Sequence, residues 1–117
     1  MIKRISAFCI ALVLANCLFS QVDVKFSPAN FPGRSDDVKI AKKQIKNADI
    51  LVFNENKFDE GLELYSKAYE LNPDNSFLNF KIGYCYYSTT HKYDCLYYFE
   101  KAYNLNPAVI LLSLSIW

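Results

Sequence analysis

The sequence predicts an all-α fold: two stacked helical hairpins, a short α-solenoid, behind a cleavable leader. Three observations carry this. KAYELNP (Lys67–Pro73) returns as KAYNLNP (Lys101–Pro107), 34 positions later. The match extends backwards, because Gly61–Pro73 and Cys95–Pro107 share Leu, Lys, Ala, Tyr, Leu, Asn and Pro in register. Apolar residues between them recur at three- and four-residue spacing, the signature of a helix face. No credible strand pair interrupts this pattern, and a fixed period of this length marks a repeat architecture.

The chain has 117 residues, room for one small domain. Lys3 and Arg4 precede an apolar run, Ile5–Ala15, and then NCLFSQ. This is the layout of a secretory signal peptide, assigned to residues 1–20. The run falls short of the roughly 20 residues that span a bilayer. Cleavage after Ser20 and cleavage after Cys17 are both compatible with the small residues present. Leu14-Ala15-Asn16-Cys17 is also similar to a bacterial lipobox, which would make Cys17 a lipid anchor, although Asn16 is larger than the residue expected there. Loss of Lys3 and Arg4 with the leader turns the formal +1 charge into about −1, so neither sign dominates. Nucleic-acid binding would need a clustered basic face. Lys39, Lys42, Lys43 and Lys46 flank a core stripe and read as a solvated helix face.

Residues 21–36, with Pro28, Pro32 and Gly33, read as a linker. Ser35, Asp36 and Asp37 are N-cap candidates for a first helix over Asp37–Asn54, whose Ala41, Ile45, Ala48 and Val52 share one face. The second helix, Phe58–Leu71, faces inward with Phe58, Gly61, Leu62, Tyr65, Ala68 and Tyr69. Pro73 ends it. Asp74-Asn75-Ser76 caps a third helix, Ser76–Ser88, with Leu78, Ile82, Cys85 and Tyr86 inward. The fourth, Tyr93–Leu105, repeats the second with Cys95, Leu96, Phe99, Ala102 and Tyr103 inward, and Pro107 ends it. Short connections make successive helices antiparallel. The two units span residues 38–73 and 74–107. The apolar tail, residues 108–117, has no clean stripe: it either docks on the array or marks an unnatural end.

These residues resemble the tetratricopeptide repeat, W-x₂-L-G-x₂-Y…A-x₃-F…P over 34 residues. In the second unit Ile82, Gly83 and Tyr86 take the Leu, Gly and Tyr places. Cys95, Phe99 and Pro107 take the Ala, Phe and Pro places, with Ala102 at a further small position. Asn79 departs from the Trp. In the first unit Tyr65, Ala68 and Pro73 fit, while Ile45, Ala48, Asp49, Val52 and Gly61 substitute. The resemblance covers most of the mature chain. It implies that Gly83 faces Cys95 across a hairpin and that Gly61 compensates for the larger Asp49. Cys85, two residues past Gly83, then points about 200° away, so a Cys85–Cys95 disulfide is not expected.

No catalytic constellation emerges. His91, the one histidine, falls in a turn. The carboxylates lack metal or acid–base spacing, and no glycine loop could cradle phosphate. The chain therefore reads as a non-enzyme with no cofactor and no metal. The residues left after the core is assigned are Lys46, Ile50 and Phe53 on the first helix and Phe77, Phe80, Tyr84 and Tyr87 on the third. By the resemblance, the first helices of successive units line a concave surface, so these seven form an apolar, tyrosine-rich groove suited to a peptide or helix. Ile50 stands where a carboxylate-gripping Asn would be, so a C-terminal carboxylate clamp is not implied.

Two functional expectations follow. The first is an exported protein–protein interaction scaffold of the cell envelope, in the periplasm or peripherally associated with the outer membrane, binding a protein or peptide and no nucleic acid. The second is an incomplete N-terminal structural module. The leader, linker and repeat pair look like the start of Gram-negative envelope proteins that end in an outer-membrane-protein-A-like, peptidoglycan-binding region, some of them linked to gliding or secretion. Two repeats are fewer than the three normally needed for stability.

Overall fold

A computed structural model of the chain describes residues 22–114. The expected signal peptide and the Cys17 anchor lie outside them. The described residues form helices and no strand. After a 3₁₀ turn at Pro28–Asn30 come α1 (Ser35–Asp49), α2 (Phe58–Leu71), α3 (Ser76–Tyr87), α4 (Cys95–Leu105) and α5 (Ala108–Leu114). α1 pairs with α2 and α3 with α4, and the two hairpins meet where α3 packs on the first.

α1 does not stop at Asp49 but widens into a π-helical turn, Ile50–Asn54. The turn is closed by the Glu55 N–H donating to the Ile50 carbonyl, and Asn56 then adopts φ 56° to reverse the chain. Asn and Asp tolerate this left-handed conformation best among residues with a Cβ. The expected Ser/Asp cap of α1 is replaced: Arg34 holds the N-cap position without a side-chain capping bond, its Nε donating instead to Asp37 at 2.9 Å, and Asp36 and Asp37 supply negative charge in the first turn. At α3 the expected cap forms, because Asn75 Oδ1 accepts from the Leu78 N–H at 2.9 Å.

The core follows the predicted stripes. Ala48, Tyr65, Ala68 and Cys85 have no exposure, and Val52, Leu78 and Ile82 have 1–2%. Each large side chain in this set contributes about 1.5–3 kcal/mol by leaving water. Gly61 and Gly83 mark close approaches, though not the ones expected. A Cβ on Gly61 would collide with Val52 Cγ2 and lie 3.4 Å from the Ala48 carbonyl oxygen, so Gly61 accommodates Val52 rather than Asp49. A Cβ on Gly83 would lie 2.7 Å from the Phe99 ring, so Phe99, and not Cys95, is its nearest neighbour. Cys85 and Cys95 are buried free thiols. Burial, and then the nearby Asp59 and Asp49 charges, push the Cys85 thiol up to about 12.

Residues 22–34, expected as a linker, make specific contacts with the start of α3. The Val24 N–H donates to the Asp74 carbonyl, and the Val24 carbonyl accepts from Asn72 Nδ2 and Asn75 Nδ2. Asp23 accepts from both the N–H and the hydroxyl of Ser76 at 2.8 Å. Through Asp23 this strap satisfies the Ser76 N–H, one of the otherwise orphaned donors at the start of α3. On α4, Leu96 and Tyr103, expected inward, are 66% and 53% exposed, while Leu105 is buried. α4 turns Cys95, Ala102 and Leu105 inward, and the other flank of its stripe meets solvent. In the tail, for which docking on the array was one of two expectations, the described residues form α5. Asn106 Oδ1 accepts from the Ala108 N–H, and α5 packs on α3 and α4 with Val109 and Ser113 buried.

Aromatic contacts tie the hairpins at their outer side. Tyr98 stacks on Tyr86 (centroids 5.4 Å) and meets Tyr69 edge-on (6.0 Å). Lys101 Nζ donates to the Tyr69 hydroxyl at 3.1 Å and lies 3.5 Å from Asp74. Burial alone would lower the Lys101 ammonium, but these partners outweigh it and hold it above its usual value.

Candidate functional site

The seven residues expected to share one groove divide between two surfaces. Lys46 and Phe77 belong to a cleft of about 370 Å³ between α1 and α3. Phe80, Tyr84 and Tyr87 line a second groove of about 300 Å³ with Phe99. Ile50, 45% exposed, and the half-buried Phe53 line neither. The division arises because α3 seats Tyr84 against hairpin one: its ring stacks on Phe53 (5.6 Å) and meets Phe58 edge-on (5.9 Å).

The first cleft has an apolar floor, Ile45 and Leu78, with Phe26 and Phe77 on its flanks. Phe26 comes from the strap. Lys42, Lys46 and Lys81 surround it, three ammonium groups against the single Asp49 carboxylate. The Lys42 and Lys46 ammonium groups extend from the exposed face of α1, one helical turn apart. Asp49 is already engaged: it accepts from the Tyr65 hydroxyl at 2.5 Å and pairs with Lys81 at 2.9 Å. Burial, followed by this hydrogen bond, raises the Tyr65 phenol well above its ordinary value. Asp49 thus works as a fixed anion that positions Lys81 at the cleft, and among the described residues no carboxylate pairs with Lys42 or Lys46 at the rim.

Asn79, at the position where the repeat pattern has Trp, is fully buried. Its Nδ2 donates to the Pro73 and Asn75 carbonyls at 2.9 and 2.8 Å, which braces the loop that carries Asn75 into the cleft wall. Its Oδ1 has no hydrogen-bond partner among the described residues. Among the residues that define the repeated pattern, Tyr65, Ala68, Gly83, Cys95 and Ala102 are buried, Pro73, Tyr86 and Phe99 half-buried, and Pro107 exposed. They build the scaffold and do not line the first cleft.

Sequence reasoning missed Phe26, Lys42, Ile45 and Lys81 as cleft residues. Lys42 carried a usable signal, since it precedes Lys46 by one helical turn. Phe26 carried none, because only the docked strap brings it to the cleft. His91 lies exposed in the loop before α4, its N–H 3.4 Å from Thr89 Oγ1. Among the described residues no His/Cys/Asp/Glu group is arranged to hold a metal, and no helix is long and apolar enough to cross a membrane. Comparison with family models, with curated proteins and with solved structures gives no match.

Proposed function

We propose that this chain is a non-catalytic protein-interaction module of the tetratricopeptide kind, exported by its leader to the cell envelope, and that the α1–α3 cleft takes an extended peptide combining acidic and apolar side chains. The observation that carries this reading is the cleft's composition. An apolar floor bounded by two phenylalanines offers anchoring contact, and rim lysines with no ion pair among the described residues favour a partner of opposite charge. The 34-residue period and the two paired hairpins support the tetratricopeptide assignment. The Lys3/Arg4–Ile5–Ala15 layout supports export, and peripheral association with the outer membrane is part of the same reading.

The test uses fluorescence anisotropy with the chain and a labelled octapeptide alternating Glu with Leu or Phe. A peptide with Lys in place of Glu serves as control. The acidic peptide should bind, weaken as salt rises, and lose at least tenfold in affinity for Lys42→Glu/Lys46→Glu, since rim charges steer and orient more than they anchor. Equal binding of the two peptides, or indifference to the charge reversal, would refute the cleft assignment.

A further inference from the structure

We propose that the exposed face of α4, centred on Leu96, Glu100 and Tyr103, binds a helix of another polypeptide that carries an aromatic residue and a lysine one turn apart. This surface shares no residue with the peptide cleft and does not depend on it.

The three residues follow one another at steps of four and three, so they share one side of α4. Leu96 is 66% and Tyr103 53% exposed, and Glu100 is exposed between them. The first hairpin shows what such a face receives. The counterparts of Leu96 and Tyr103, 34 positions earlier, are Leu62 and Tyr69 of α2, both half-buried. It is α4 that covers Tyr69. The Tyr98 ring meets it edge-on, and Lys101 Nζ lies 5.1 Å from its ring centroid while donating to its hydroxyl. An aromatic residue and a lysine at i and i+3 of one helix thus close over the tyrosine of another. On α4 the same leucine and tyrosine face solvent. Neither α5 nor residues 115–117 stand at the guest's positions, since 34 positions on from Tyr98 and Lys101 lies past residue 117.

The two faces differ in the anion that the lysine meets. At α2 it is Asp74, 3.5 Å from Lys101 and beyond the end of the helix. The counterpart of Asp74 on the second hairpin is Ala108, which has no charge, but Ser66 of α2 is replaced by Glu100, one turn before Tyr103. The anion has moved onto the face itself. Among the described residues no cation pairs with Glu100, and the adjacent Lys101 is turned to Asp74 and Tyr69. A carboxylate between two large apolar side chains favours a guest with a positive charge at that point and opposes a purely apolar one, which would desolvate it unpaired. The Tyr103 ring offers the same ammonium a second contact. A second copy does not supply the guest. Pairing the two α4 faces about a two-fold axis sets Glu100 near Glu100, and the Tyr98 and Lys101 of that copy are held on its own Tyr69.

The probe is a helical peptide of about 16 residues, built of Ala and Gln with Tyr at i, Lys at i+3 and Leu at i+7, the spacing of Tyr98, Lys101 and Leu105. It is titrated into the full chain by calorimetry. A twin peptide carries Gln at i+3. The Lys peptide should bind saturably and the Gln twin at least about threefold more weakly. Glu100→Gln should erase that difference, which a merely apolar contact would not do. Tyr103→Ala should weaken both peptides at least about fivefold with helix content unchanged by circular dichroism. Lys42→Gln/Lys46→Gln should leave the Lys peptide unaffected, and a loss there would place the peptide in the cleft instead. That result would overturn the proposal, as would no binding, equal binding of the twins, a difference that survives Glu100→Gln, or indifference to Tyr103→Ala. So would a concentration-dependent dimer that the peptide dissociates, which would make a second copy the occupant.

Discussion

Gly61→Ala sets two effects of comparable size against each other. The new Cβ would collide with Val52 Cγ2 and stand 3.4 Å from the Ala48 carbonyl oxygen. Val52 is 1% exposed and Ala48 wholly buried, so neither can move into solvent. Overpacking at such a site costs about 1–3 kcal/mol. Alanine returns up to about 1 kcal/mol of helix propensity over glycine. The variant should therefore lie between neutral and about 2 kcal/mol less stable, with a melting temperature lower by roughly 4–8 °C per kcal/mol. The decisive quantity is the coupling with Val52. Val52→Ala alone should cost about 1–3 kcal/mol by leaving a cavity. In the double variant the added methyl occupies the space that the valine vacated, so the two losses should not sum. Urea unfolding of the wild type and three variants, followed by circular dichroism, measures that coupling. A favourable interaction of about 1 kcal/mol or more is expected. Additivity within about 0.5 kcal/mol would show that Gly61 is not there to admit Val52.

Two further outcomes follow from the polar contacts. Asp23→Ala removes both acceptors of Ser76 at the start of α3 and should lower stability by about 1–2 kcal/mol in thermal unfolding, as loss of a helix cap does; an unchanged melting temperature would mean that the strap is not held by this bond. Tyr65 stays protonated in the folded chain where an exposed phenol ionises, because burial and then Asp49 raise it above the ordinary phenol value of 10.0. The unfolded chain then binds fewer protons above that pH, so this contribution is complete below about pH 10 and is lost as pH rises further, at up to about 1.4 kcal/mol per pH unit. Denaturation titrations between pH 8 and 11.5 should show a steeper alkaline decline in the wild type than in Tyr65→Phe, and parallel curves would count against the burial of the phenol.

The helices were legible because their signals are local. Pro73 and Pro107 end α2 and α4, Asn75 caps α3, and three- and four-residue spacing placed Tyr65, Ala68, Ile82 and Cys85 in the core. What escaped depends on contacts between distant segments. The Asp49–Tyr65–Lys81 cluster joins residues 16 and 32 apart, on three helices, and neither separation is a motif. The strap holds through the Val24 backbone and the Asp23 carboxylate, whose partners lie about 50 residues away and leave no local signal. The direction of Leu96 and Tyr103 could not be inferred from α2 by symmetry, because Leu62 and Tyr69 have neighbours packed over them that their counterparts lack. The candidate site was half legible: the off-stripe aromatics were identified, but not their division, which turns on where one ring, Tyr84, comes to rest.

Asn75 belongs to three structures at once. Its carboxamide oxygen caps α3, its amide nitrogen holds the Val24 carbonyl, and its side chain forms part of the cleft wall opposite Lys42 and Lys46. Phe26, two residues beyond Val24, is carried into the same cleft by the strap. On the proposed function, attachment of the strap and occupancy of the cleft would be two equilibria with shared parts. Free-energy coupling between such equilibria is reciprocal: a peptide that presses on Phe26 tightens the strap by the same factor by which a docked strap tightens the peptide. Tension drawing residue 22 away from the module would then act as a release signal, lowering affinity at a cleft it never touches.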